Sequence, residues 1–246
     1  SSEKKEQQII LTWSAGYFDN SLPKGVAGAE VFITGSDGSL YRFSESAAGK
    51  YTYDAANMPA IDSVGTLYTF HLKYEGNEYI SMSFLNPVPP IDQIGFYTSA
   101  DNFEREERNY AEFFATDISG RTDYYWIKSY IQGNQTQPYS FRLLKDASFI
   151  GDNSDGMMFD ILVRRSINDG EFELVKGDTV KVELRSISES AYNFLGRVNT
   201  ESRNGGLFSV PPANIQPNIT DIAGEKQDNV LGVFTMVSKS SLEEVY

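Results

Sequence analysis

The chain contains no cysteine, which excludes a disulfide framework, a thiolate zinc site and a cysteine nucleophile together. Stability must therefore come from packing. Histidine is almost as scarce: His71 is the only one, so any imidazole-based catalysis or metal site has to use it. It stands in Thr69-Phe70-His71-Leu72-Lys73, on the strand face opposite Phe70 and Leu72, where a half-exposed structural histidine is the expectation. No Gly-x-Ser-x-Gly elbow occurs, which leaves a serine triad without its usual nucleophile setting. No apolar run reaches the about 18 residues of a bilayer-spanning helix. The opening Ser1-Ser2-Glu3-Lys4-Lys5-Glu6-Gln7-Gln8 lacks the apolar core of a signal peptide, and residues 1–8 read as the polar tether of a trimmed, mature product.

Positive charge is short as well. Against 34 acidic residues stand 21 basic ones, a formal charge of -13, and that field repels nucleic-acid phosphates and anionic headgroups at long range. Nucleic acid is excluded as the expected partner. The basic groupings Lys4-Lys5, Arg164-Arg165 and Arg105 with Arg108 have acids or hydroxyls nearby and read as solvated surface. What the chain does have is apolar and aromatic mass: 246 residues, 40% hydrophobic and 13% aromatic, can bury roughly 70–75% of the unfolded surface in one large domain or two ordinary ones.

From Ile9 to Phe84 short alternating segments are separated by turn residues at intervals of about 8–12, the pattern of an antiparallel sandwich. Ile9–Trp13, Ala29–Thr34, Leu40–Phe43, Lys50–Tyr53, Leu67–Tyr74 and Glu78–Phe84 are the expected strands, with Asp37-Gly38 supplying the positive φ of a tight hairpin. Pro87-Val88-Pro89-Pro90 then breaks the pattern, because prolines cannot donate to a ladder. The boundary falls there: a sandwich over 9–88, then a larger antiparallel β domain over 89–246. In the second region Asn109–Thr116, Asp123–Ile131, Tyr139–Leu144, Met157–Arg165 and Thr179–Ile187 read as strands. In the last of these Val180, Val182 and Leu184 face one way and Lys181, Glu183 and Arg185 the other, a strand with one wet side. One helix is expected near 188–203, capped by Ser188, with Ala191, Tyr192, Leu195 and Val198 as its apolar stripe. The fold class is thus mainly β, an Ig-like antiparallel sandwich followed by a larger antiparallel domain with one short helix.

Chemistry-bearing residues are sparse. Tyr124, Trp126 and Tyr130 alternate along one strand and share a face, while Tyr125 points away. Large aromatics on a strand between polar turns bury their area, so core is the expectation; an exposed face would instead be a stacking platform for sugar rings or a protein partner. Trp13, beside Tyr17-Phe18, poses the same question. Asp152-Asn153-Ser154-Asp155-Gly156 clusters oxygen donors that a calcium ion could use. Its acids are not spaced as in the twelve-residue calcium loop, and Val163 stands where the bidentate glutamate belongs. An Asx turn is therefore the expectation, with Asp152, Asn153 and Asp155 as the calcium alternative. Glu104, Glu106 and Glu107 lie in a charged stretch, 102–109, that reads as a loop or a solvated turn. No cofactor is called for and no residue stands out as catalytic.

Pro87-Val88-Pro89-Pro90-Ile91-Asp92, Gly177-Asp178-Thr179-Val180-Lys181-Val182-Glu183-Leu184 ahead of a helix, the turn-rich 205–215 stretch (Gly205-Gly206-Leu207-Phe208-Ser209-Val210-Pro211-Pro212-Ala213-Asn214-Ile215) and a closing apolar strand, Val230-Leu231-Gly232-Val233-Phe234, resemble the Bacteroidetes envelope lipoproteins grouped as the DUF4249 family. Within the first region, Gly28–Ile33, the Asp-Gly hairpin, Gly49-Lys50-Tyr51 and Tyr68–Leu72 resemble the prealbumin-type sandwich of carboxypeptidase regulatory-like domains, which serve as spacers or docking units. The resemblance implies export, an outer-membrane lipid anchor on an N-terminal cysteine not present in this chain, and membrane contact through that lipid alone. It also implies a non-enzymatic binding or accessory role beside nutrient uptake, with a TonB-dependent transporter or another envelope protein as partner. A carbohydrate-binding module, which would take a glycan on Trp126 or Trp13, and a carboxylate-dependent hydrolase are the alternatives.

Overall fold

A computed structural model describes residues 2–15, 21–100, 107–138, 140–149, 153–168, 173–203, 215–223 and 230–246. The chain is mainly antiparallel β and divides into two compact units. The first is Ser1–Leu85 with Ile215–Met236; the second is Asn86–Asn214 with Val237–Tyr246.

In the first unit β1 (Glu6–Ile10), β2 (Glu30–Gly35), β3 (Leu40–Ala47), β4 (Lys50–Asp54), β5 (Leu67–Tyr74) and β6 (Asn77–Phe84) form one antiparallel path, β1-β4-β3-β2-β5-β6. β3 changes partner midway. Its first half pairs β2 (Val31↔Phe43, Thr34↔Leu40), and beyond it Ser44↔Thr52 begins the pairing with β4, with a register shift between Glu45 and Ala47. Such a shift bends a strand and lets one continuous path wrap a core in the manner of a sandwich.

Period-two alternation selects that core: Val31, Ile33, Tyr41, Phe43, Tyr51, Tyr53, Tyr68, Phe70 and Leu72 are all buried. Three of the tyrosines, Tyr41, Tyr51 and Tyr53, carry their hydroxyls to loop backbone. Tyr51 accepts from the Ala29 amide and donates to the Val26 carbonyl, both at 2.9 Å, and Tyr53 donates to the Pro59 carbonyl at 2.8 Å. Gly38, at φ +86, turns the β2–β3 hairpin, and the Asp37 carboxylate beside it receives the Ser39 amide and hydroxyl.

Two expectations for the first region need correction. β1 begins at Glu6, so residues 6–8 belong to the sheet and not to a tether; paired with β4, it buries Gln7 and leaves Gln8 exposed. The C-terminal part of the 89–246 region is also divided. The segment Ile215–Met236 belongs to the first unit, where β13 (Thr220–Asp221) pairs β6 through Thr220↔Ile80. Val230–Phe234 is not a strand. Its backbone is held by side chains instead: Asn218 both donates to the Phe234 carbonyl and accepts its amide, Met236 donates its amide to the Ser83 hydroxyl, and Phe234 stacks on Phe70 at 5.2 Å.

The second unit contains β7 (Gln93–Ala100) and β8 (Glu107–Phe114), an antiparallel pair, and a five-stranded sheet of β9 (Tyr124–Ile131), β10 (Asn134–Gln135), β11 (Arg142–Lys145), β12 (Thr179–Ile187) and β14 (Ser238–Val245). β12 is central, paired along nearly its full length with β9 on one side and β14 on the other. Tyr125, Ile127 and Ile131 of β9 and Val180, Val182 and Leu184 of β12 face a core shared with Ile94, Phe113, Leu144, Phe159 and Val163.

β7 was not foreseen, because its Gln93-Ile94-Gly95-Phe96-Tyr97-Thr98 has a polar start and a glycine inside the strand. The expected strand over Met157–Arg165 is instead α1 (Ile161–Arg164) followed by a 3-10 turn (Arg165–Ile167). The Asp160 carboxylate caps the Leu162 and Val163 amides and so starts a helix where the apolar run suggested a strand. α2 (Glu189–Ser202) begins at the expected Ser188 cap. Of its expected stripe only Ala191 is fully buried. Glu107 opens β8, whereas Glu104, Glu106 and the turn-rich 205–214 stretch lie outside the described residues.

A fragment of residues 1–88 lacks the buried Met236, which contributes about 1.5–3 kcal/mol to the first unit, and the half-buried Phe234, which contributes less. That fragment is expected to lose the cooperative thermal transition seen by circular dichroism in the full chain; a melt as sharp as the full chain's would show that the returning segment is dispensable.

Candidate functional site

The alternation that sends Tyr125, Ile127 and Ile131 into the core puts Tyr124, Trp126, Lys128 and Tyr130 on the opposite face of β9. The register sets these beside the wet side of β12: Trp126 opposes Arg185, Lys128 opposes Glu183 and Tyr130 opposes Lys181. On the far side of β12, Lys239 opposes Arg185 and Glu243 opposes Lys181. The outer face of the sheet therefore gathers four cations, two carboxylates and three aromatic rings from strands far apart in sequence.

Glu183 organises the centre. Its side chain is 6% exposed, and its two oxygens meet Arg185 at 2.6 Å, Lys181 at 3.2 Å and Lys239 at 3.3 Å. Burial pushes its pKa up, but the hydrogen bond and charge of Arg185, with Lys181 and Lys239, prevail and hold it down at about 2. The cations also lie over rings: Lys128 Nζ is 4.5 Å and the Arg185 guanidinium 5.3 Å from the Trp126 ring centre, and Lys181 is 5.7 Å from that of Tyr130. Each such contact contributes about 0.5–2 kcal/mol.

At the other end of β9, Tyr124 packs against Tyr192 of α2 at 5.0 Å, and burial with a hydrogen bond to Glu189 pushes its phenol up to about 12. Phe141 abuts Trp126 edge-on at 5.3 Å. Asn199 of α2 holds Phe141 in place by accepting its amide and donating to its carbonyl.

Trp126 is thus neither core nor a bare stacking platform: it is half-buried on the outer face, with two cations over its ring. The expectation that these aromatics form core fails because the alternation is anchored by Tyr125. That residue is fully buried and its hydroxyl reaches the Asp117 carboxylate at 2.6 Å.

The family model described as Domain of unknown function (DUF4249) matches residues 1–243. The chain belongs to that family. Neither a curated protein nor a solved structure matches it.

The remaining candidate residues of this DUF4249 chain belong to other elements. Trp13 belongs to the first unit, 51% exposed and edge-on to Tyr74 at 5.9 Å. His71 is half-buried in β5, stacked on Phe32 at 4.5 Å, with Nε2 3.2 Å from Thr34 Oγ1 and Nδ1 3.4 Å from Glu78. In the turn offered as a calcium site, Asp155 accepts the Gly120 amide with both carboxylate oxygens at 3.0 Å, and Asn153 takes a positive φ of 54. Asp152 lies outside the described residues. The loop's described carboxylate is thus engaged in holding a turn. Among the described residues, no three or more His, Asp or Glu side chains converge as a metal site requires.

Buried acids do occur at the end of the second core, each tied to a neighbour. Asp117 receives Tyr125 and the Gly156 amide, Asp146 receives the Asp123 amide, and Asp123 receives Arg121. Burial pushes Asp123 up despite Arg121.

Taken singly, Lys128 and Lys239 carry no mark of a site in the sequence, where Lys181, Glu183 and Arg185 form only the wet side of a strand. A signal was present in the matching alternations Tyr-x-Trp-x-Lys-x-Tyr and Lys-x-Glu-x-Arg, but only the register brings them together.

The depressed pKa of Glu183 stabilises the fold above the usual glutamate range and ceases to do so as pH falls from about 4.5 towards about 2. Glu183→Gln is therefore expected to lower unfolding free energy by about 3 kcal/mol at pH 7 and by about 1 kcal/mol at pH 3, read from urea melts at both pH values. A deficit that stays constant with pH would mean that the carboxylate's charge is not what holds the face together.

Proposed function

We propose that this chain is a non-enzymatic binding or accessory protein of the Bacteroidetes cell envelope, anchored at the outer membrane by lipid and working beside a nutrient-uptake system such as a TonB-dependent transporter. The observation that carries a binding role is the outer face of β9 and β12. A chain of charge -13 collects Lys128, Lys181, Arg185 and Lys239 around Trp126 and Tyr130 on a surface belonging to neither hydrophobic core. Such a half-buried cation and aromatic array is more than solubility requires, and aromatic and arginine side chains dominate recognition surfaces.

The envelope setting is supported by the chain's resemblance to exported lipoproteins of the DUF4249 family. The first unit, whose sequence resembles prealbumin-type modules, is read as a spacer or docking unit. No residue is assigned a catalytic role: the described buried carboxylates are each occupied by backbone amides, hydroxyls or guanidinium groups.

The test is affinity purification of the tagged, full-length lipoprotein from its own bacterial envelope, with co-purifying proteins identified by mass spectrometry. A recurrent outer-membrane transporter is the expected result. Recovery of the protein alone, under conditions that preserve known envelope complexes, would remove the accessory role.

A further inference from the structure

Resting on that reading of the β9–β12 face as a binding surface, we infer that the face takes the carboxylate of an acidic sugar, a uronate unit of an oligosaccharide, at Lys128 beside Arg185 and Trp126. The argument begins with unequal shares of one carboxylate. Glu183 is the cross-strand neighbour of Lys128, yet its oxygens are taken by Arg185, Lys181 and Lys239. Lys128 has no carboxylate within ion-pair distance among the described residues, and its polar contact is the Gln135 side-chain oxygen at 3.4 Å. The ammonium is nevertheless half-buried over the Trp126 ring.

Burial first, and then the charge of Arg185, lower the pKa of Lys128. Two cations are therefore held against one indole, each disfavouring the other. An anion placed at Lys128 relieves that repulsion and supplies the charged partner that the half-buried ammonium lacks at ion-pair distance among the described residues.

Charge complementarity also limits the occupant. Locally the face has Lys128, Lys181, Arg185 and Lys239 against Glu183 and the exposed Glu243, whereas the whole chain is at -13. The long-range field opposes a dense polyanion, and the local field favours an isolated carboxylate. The surroundings suit a sugar ring. Tyr130 offers a phenol, protonated at neutral pH and so a donor, Gln135 offers an amide on the neighbouring strand, and the aromatic edges give apolar contact to ring C–H groups.

The test uses the full chain carrying Trp13→Phe, which leaves Trp126 as the only indole because the chain has two tryptophans. Tri-galacturonate, neutral galactotriose and the acidic tripeptide Glu-Glu-Glu are titrated in low salt, with Trp126 fluorescence and calorimetry as readouts. Saturable binding of the uronate, little or none of the other two, and a loss of about tenfold or more in Lys128→Met with unchanged melting temperature are expected. Lys128→Arg, which keeps the charge, is expected to retain most of the affinity.

Equal binding of the neutral sugar overturns the charge argument. Equal binding of the peptide overturns the sugar, and full affinity in Lys128→Met overturns the site; absence of saturation by the uronate overturns the inference outright. A transporter recovered from the envelope by a chain that binds no uronate would sink the ligand class alone. Uronate binding by a chain that recovers no transporter would sink the accessory role and leave this site standing.

Discussion

A carboxylate withdrawn from water in the middle of a β-sheet costs several kcal/mol unless charges and hydrogen bonds replace its hydration, and Glu183 sits in that position on β12. Much else in the second unit follows from satisfying it. Arg185 and Lys181 stand two residues to either side on the same strand face, and Lys239 arrives from β14, the last strand of the chain. The register of β12 is fixed by the same requirement. A slip of one residue would turn Glu183 into the core and Val182 and Leu184 out of it. Because the three cations saturate Glu183, its neighbour Lys128 is left over the Trp126 ring without a carboxylate of its own among the described residues. The structural need and the candidate site are two consequences of one ion cluster.

The two hydrophobic cores are built differently. The first relies on tyrosine: Tyr41, Tyr51, Tyr53 and Tyr68 are buried, and the hydroxyls of Tyr41, Tyr51 and Tyr53 are directed to loop carbonyls at Ala60, Val26 and Pro59. Rings thereby fill the interior while their polar tips tie down the connections. The second is mostly aliphatic and phenylalanine, with Arg142 buried among Ser129, Thr136 and the Ser166 carbonyl. Both depend on the C-terminal part of the sequence. Ile215–Met236 completes the first unit and Val237–Tyr246 the second, so neither has its full set of contacts until these last segments are in place. Long-range closure of this kind makes for slow folding and high contact order.

The legible part of the fold is the part governed by short-range rules. β2, β5 and β12 fall where alternation and turn residues put them, and α2 starts at the Ser188 cap, because Cβ direction and capping depend on neighbours within a few residues. The errors have a common origin. The apolar run at Met157–Arg165 has the composition of a strand, and a single carboxylate, Asp160, turns its second half into a helix. Val230–Phe234 has the composition of a strand too. Its backbone is satisfied by Asn218 and Ser83 instead of a ladder, a solution that no local pattern encodes.

The site shows the same division. The alternation of Tyr124, Trp126 and Tyr130 against Tyr125, and of Lys181, Glu183 and Arg185 against Val180, Val182 and Leu184, is a property of the sequence alone, since a strand can only present every second side chain to one side. The sequence by itself thus determined a mainly antiparallel β chain, the composition of each strand face, the absence of thiol chemistry and a strongly acidic surface. Only the tertiary structure decided which face of β9 is buried, that β9 and β14 flank β12 in a register placing Lys128 and Lys239 beside Glu183, and that the chain returns to the first unit after the second has been largely made. The reason is physical: pairing between strands separated by tens of residues is chosen by the summed burial and charge of whole faces, a quantity that no stretch of sequence contains on its own.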